Sequence, residues 1–137
     1  MTEPRTRILL VDDYPDALET WGLFFELKGY QVLTAGDGQS AVDLAVANRP
    51  DVIVMDLDLP ILSGYEAARI IRSHAATQRI PLIAATGHSQ ESHLDEARRA
   101  GFDAVLVKPC DPDALIIEID RLLSAVPGGG QPPANSR

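Results

Sequence analysis

Basic residues are in short supply in this chain, with 12 Lys and Arg against 20 Asp and Glu, a formal net charge of −8 and a pI near 4.7. Nucleic acid and anionic membrane surfaces are held by clustered Lys and Arg that neutralise phosphates, so the deficit argues against both as direct partners. Cations and basic surfaces fit better. Cysteine is nearly absent. Cys110 stands alone, which excludes an internal disulfide, and without a CxxC pair or a Cys/His ligand spacing no thiolate metal site can be assembled. A reducing cytoplasm is the expected setting. Long apolar runs are missing as well. MTEPRTRILLV meets Asp12 too soon for a signal peptide, and no later run approaches the ~20 residues of a membrane span.

What remains is ordinary for one globular domain: 137 residues, 45% hydrophobic and 23% charged. Five short apolar runs read as strands: Arg7 to Val11, Tyr30 to Ala35, Asp51 to Met55, Pro81 to Thr86 and Asp103 to Val107. Segments of helical period follow them: Asp16 to Lys28, Ser40 to Asn48, Tyr65 to Ala76, Gln90 to Ala100 and Pro112 to Val126. Strict alternation of this kind predicts an α/β domain with a parallel sheet covered on both faces by right-handed crossovers. Gly29 and Gly101 stand where helices end, Ser89 can cap the fourth helix, and Asp111 with Pro112 opens the fifth. On that fifth helix Leu115, Ile119, Leu122, Leu123 and Val126 make one stripe, and Ile117 falls outside it, suggesting a docking face. The domain is expected over residues 1–126, and the Gly/Pro-rich 127–137 as a disordered tail.

The stretch DVIVMDLDLP, residues 51–60, joins a run apolar on both faces to two carboxylates, Asp56 and Asp58. In an open parallel sheet the groups that do chemistry gather beyond the carboxyl ends of the strands. By that rule Asp12 and Asp13, Asp56, Thr86 and Lys108 are the candidates. Adjacent first and third strands would bring three carboxylates together, and their mutual repulsion calls for a cation. Oxygen ligands without His or Cys favour magnesium. An ionised carboxylate can also attack phosphorus without a general base, and Asp56, ending the buried strand, is the candidate nucleophile. Lys108 and Thr86 would then face the phosphoryl oxygens. Taken singly, Asp12 and Asp13 read as helix caps or solvated acids, Asp58 as a turn acid and Lys108 as a neutralising charge. His74, His88 and His93 read as solvated residues, and Trp21, Phe24 and Phe25 as core and rim.

VDD near the start, MDLDLP followed by SGYE, AATG, and GFDAVLVKP together resemble a response regulator receiver domain of the CheY-like superfamily, over roughly residues 7–126. The resemblance implies a doubly wound (βα)5 flavodoxin-like sheet of strand order 2-1-3-4-5. It implies magnesium held by Asp12, Asp13, Asp56 and the backbone carbonyl of Asp58, phosphorylation of Asp56 by a partner histidine kinase or phosphotransfer protein, and loss of the group by self-hydrolysis rather than turnover of external substrates. Thr86 would be the switch hydroxyl, Lys108 the phosphate-sensing lysine, and Pro109 would follow a cis peptide bond. A downstream protein would be met through the fourth helix, fifth strand and fifth helix. Val105 stands where many receivers carry Tyr or Phe, Cys110 where Phe is frequent, and Ser63 where Asp is frequent. MDLDLP also matches the DxDx pattern of haloacid-dehalogenase-type phosphohydrolases, which would use Asp56 and Asp58, but Pro60 and the acidic pair preceding the nucleophile disfavour it. A scaffold that is never phosphorylated is a third reading, weakened because no site residue is missing.

Overall fold

The computed structural model describes residues 5–87, 91–108 and 111–125. Five strands and five helices alternate as β1 (Arg7–Val11), α1 (Pro15–Leu27), β2 (Gln31–Ala35), α2 (Gly38–Asn48), β3 (Val52–Met55), α3 (Gly64–Ser73), β4 (Leu82–Thr86), α4 (Glu91–Ala100), β5 (Ala104–Val107) and α5 (Pro112–Ala125). All pairings are parallel and the sheet order is β2-β1-β3-β4-β5, the doubly wound arrangement expected from the motifs. The direction in which the crossover connections step along the sheet reverses between β1 and β3, so the crevice of such a sheet opens above that pair.

Period-two alternation along β1, β3 and β4 divides the core in two. Leu9, Val11, Ile53, Met55, Leu82 and Ala84 face α2, α3 and α4, while Ile8, Leu10, Val52, Val54, Ile83 and Ala85 face α1 and α5. β3, buried at every position, is central and accounts for the unbroken apolar run VIVM. Phe25 is fully buried against Trp21, Phe24 and Tyr30, with ring centroids 5.3–6.0 Å apart. Burying such a ring is worth roughly 1.5–3 kcal/mol, which pins α1 to the sheet. Phe25 is thus core and its neighbours rim, as the helical spacing indicates.

Helix ends follow their capping chemistry. Gly29 at φ 99° and Gly101 at φ 115° terminate α1 and α4 in the left-handed region that favours glycine. The Asp111 carboxylate accepts from Asp113 N–H at 3.0 Å at the start of α5. Ser63 and Glu66 form a reciprocal capping box opening α3. That helix ends at Ser73, three residues before the Ala76 expected from periodicity. The buried Thr77 hydroxyl donates to the Ile71 carbonyl at 2.6 Å, satisfying a terminal carbonyl and turning the chain away. The expectations for His88, Ser89, Pro109, Cys110, Val126 and residues 127–137 lie outside the described residues.

Candidate functional site

β1 and β3 run in register, Val11 beside Met55, and Asp56 N–H continues the ladder by donating to the Val11 carbonyl at 2.9 Å. Asp12 N–H likewise donates to the Ala35 carbonyl of β2 at 3.1 Å. The carboxylates that follow these strands therefore emerge at the same level. One oxygen from each of Asp12, Asp13 and Asp56 lies within 4.8 Å of the others. Asp12 and Asp56 are largely enclosed, at 14% and 13% side-chain exposure, whereas Asp13 is open to solvent.

Lys108, one residue beyond β5, reaches across β4 to this cluster. Its ammonium donates to Asp12 Oδ2 at 2.7 Å and Asp56 Oδ2 at 3.3 Å. The remaining oxygens are engaged by backbone: Asp12 Oδ1 accepts from Tyr14 N–H at 3.0 Å and Asp56 Oδ1 from Asp58 N–H at 3.2 Å. Burial raises the Asp56 pKa above its ordinary range; the Asp58 N–H and Lys108 pull it down but do not cancel the effect, and Asp12 adds to it. For Lys108, burial works downward, yet the hydrogen bond it donates to Asp12 and the attraction of both carboxylates leave its pKa raised. Three carboxylates against one ammonium leave the cluster anionic, and its donors are all hard oxygens. Such a set suits a magnesium-sized divalent ion.

Thr86 ends β4 beside Val107, and its backbone carbonyl accepts from Lys108 N–H at 2.6 Å. Its side chain is fully buried, so the hydroxyl is enclosed. Asp58 is exposed. Val105 pairs with Ala84 and packs against the core under α3 and α4, two positions before Val107, which is 38% exposed. Ile117 projects from α5 at 67% exposure, as its place outside the stripe indicates.

Two features of the site are not visible in the acidic motifs. Gly64 sits against the backbone of Asp56 and Leu57: a Cβ there would come within 2.7 Å of Leu57 Cα and press on the Asp56 carbonyl. The S-x-x-E spacing of Ser63 and Glu66 was the available signal, because it marks a helix start that sets this loop. Second, α3 and α4 are tied by polar contacts. Tyr65 Oη lies 3.4 Å from His93 Nδ1, Arg69 lies 4.0 Å from Glu96, and Arg72 bonds the Gly101 carbonyl at 2.7 and 3.0 Å. His93 is therefore half-buried on a partner, in contrast to the solvated residue expected.

The response regulator receiver domain family model matches residues 8–120. The chain belongs to this family. It is similar to PilH of Pseudomonas aeruginosa, at 37% identity over 118 residues, covering 86% of this chain and 98% of that protein. It also matches the sensor kinase/phosphatase CqsS of Vibrio cholerae at 32% identity, covering 82% of this chain but only 17% of that protein. Among solved structures, the receiver domain of the sensor histidine kinase PA1611 from Pseudomonas aeruginosa, which holds a magnesium ion in its active-site cleft, superposes with TM-score 0.81 at 34% identity, covering 87% of this chain and 98% of that one. Chemotaxis regulator CheY4 of Vibrio cholerae gives 0.82 at 28% identity, covering 88% and 100%. Receiver domains act in two-component signalling and interact with histidine kinases and phosphotransfer proteins, and this receiver shares their fold and the order of their strands. Nothing in these relationships favours the haloacid-dehalogenase-type reading. No helix among the described residues is long and apolar enough to cross a membrane.

Proposed function

We propose that this receiver accepts a phosphoryl group on Asp56 from a histidine kinase or phosphotransfer protein, in a magnesium-dependent transfer, and thereby changes its affinity for a downstream protein. The observation that carries the reading is the Asp56 carboxylate, anchored at a strand end among Asp12, Asp13 and Lys108. An Asp56 oxygen bonds to phosphorus as the phosphorus–nitrogen bond of the donor phosphohistidine breaks, and the imidazole nitrogen keeps the bonding pair. Asp12, Asp13, Asp56 and the Asp58 carbonyl would hold the magnesium, which when bound offsets the carboxylates' charge and that of the phosphoryl oxygens. Lys108 exchanges a carboxylate for a phosphoryl oxygen within its present reach, and the Thr86 hydroxyl supplies a further donor. Attack of water on phosphorus later releases phosphate and restores the carboxylate.

The output surface comprises α4, β5 and α5, where Val107 and Ile117 leave apolar area exposed. Val105 is β-branched and stiff at χ1, so the signal travels through the β4–α4 connection and the pose of α4 rather than through a rotating ring. The cytoplasm is the setting in which such kinases would meet it. Intact-mass spectrometry with acetyl phosphate and magnesium tests the proposal. One phosphoryl adduct is expected on the wild type and none on Asp56→Asn; an adduct that persists in the variant, or never forms on the wild type, refutes the assignment.

A further inference from the structure

Beside the carboxylates lies a cavity of about 420 Å3, within the size range of small-molecule sites. Leu10, Val54 and Ala85 form its floor on the sheet, and Leu18 and Trp21 of α1 form a wall. Asp12, Asp56 and Lys108 stand at the end where the strands stop. A pocket apolar along its length and charged at one end selects an amphipathic ligand, and the balance of charge decides its sign. Two carboxylates face one ammonium on the lining, and Asp13 adds a third carboxylate to the cluster. An anion would meet net repulsion, and a neutral molecule would leave the net negative charge of the lining without a counterion. A cation with an apolar body satisfies both ends, its ring against the Trp21 indole and its charge on Asp12 and Asp56.

We propose that this cavity binds a small aromatic or branched aliphatic primary amine, and that the bound amine excludes divalent metal from the carboxylate cluster. Binding itself follows from the cavity and its charge; the exclusion rests on the metal reading given above. Because the ammonium group and the metal draw on the same oxygens of Asp12 and Asp56, each lowers the other's affinity by the same factor. The pocket would thus let an amine hold the receiver in a state that cannot be phosphorylated.

Trp21 is the sole tryptophan, so its fluorescence reports on the pocket wall. The metal-free full chain is titrated with 2-phenylethylamine, 2-phenylethanol and 3-phenylpropionate, with amide shifts of Asp12, Leu18 and Ala85 locating the site. The amine is expected to bind about tenfold more tightly than either isostere, the size of one charge-assisted hydrogen bond. Saturating magnesium should weaken it by about tenfold or more. Ala17→Leu, which narrows the pocket from α1, should weaken the amine while leaving the magnesium-induced shifts at Asp13 and Asp56 in place, showing an intact fold. Absence of saturable binding, equal affinity for the alcohol, tighter binding of the carboxylate, or an amine affinity indifferent to magnesium in protein whose Asp13 and Asp56 amides respond to the ion would each overturn the inference. Acyl-phosphate labelling of Asp56 without amine is independent of these titrations, so the failure of one reading is distinguished from the failure of the other.

Discussion

Replacing Asp13 by Asn should make the metal-free protein more stable, although it removes a residue of the proposed metal site. At a separation of 4.8 Å, two unit charges in water repel by about 0.9 kcal/mol. Lys108 sits 2.7 and 3.3 Å from Asp12 and Asp56 and offsets most of the repulsion between those two. Among the described residues Asp13 has no such counterion, facing two anions and only the more distant ammonium. Its removal therefore relieves about one net repulsive pair. Against this, Asp13 precedes α1 and loses a favourable interaction with the helix N-terminus, about 0.3 kcal/mol at an exposed site. The balance is a gain of roughly 0.5 kcal/mol at low ionic strength, or an increase in Tm of about 2 °C for a domain of this size. Thermal unfolding followed by circular dichroism, in chelator and low salt, measures it. Raising the salt to about 1 M shortens the screening length to about 3 Å and should erase the difference. Adding magnesium should reverse the order, since the wild type binds the ion more tightly and gains more from it. A variant clearly less stable than wild type without metal, or a difference insensitive to salt, would show that the repulsive cluster is absent.

The raised pKa of Asp56 fixes the sign of a pH effect: the folded chain keeps this proton to higher pH than the unfolded chain, so its contribution to stability is complete below the ordinary aspartate value of about 3.9 and is lost as pH rises through the folded value. Urea unfolding of metal-free wild type and Asp56→Asn across that interval should show the variant gaining ground as pH rises; parallel curves would contradict the burial argument. Lys108 has the opposite reach, its stabilisation present at neutral pH and lost only at alkaline pH above its ordinary lysine value, so Lys108→Met should cost metal-free stability at pH 7 and converge with wild type at high pH. Arg72→Ala should destabilise by about 2–4 kcal/mol, because the carbonyls of Gln78, Ile80 and Gly101 and the Asp103 carboxylate all lose a charged donor; a loss below 1 kcal/mol would mean water replaces the guanidinium freely. With a beryllium fluoride phosphoryl mimic, amide shifts should extend from Gly87 through α4 and appear at Val105, Val107 and Ile117; shifts confined to the loops of Asp12, Asp56 and Lys108 would remove the proposed output route.

The layer order and the strand-end acids are legible in the sequence because they depend on local chemistry and on rules of connection. Runs such as ILLV and VIVM can only be buried on both faces, the helical segments supply the covers, and parallel crossovers of one hand leave few ways to arrange them. Even Ile117 declared itself, since a single apolar residue off a clean stripe has no core to enter. Distances between elements far apart in sequence were another matter. That Lys108 bridges Asp12 and Asp56, that the Thr86 hydroxyl is enclosed, and that His93 meets Tyr65 each require the positions of strands and helices 28 to 96 residues apart to be known to within an ångström. The cavity beside Trp21 is of the same kind. Composition and periodicity decide which faces turn inward, but a void is the space left when α1, β1, β3 and β4 have all been packed, and no local stretch of sequence contains it.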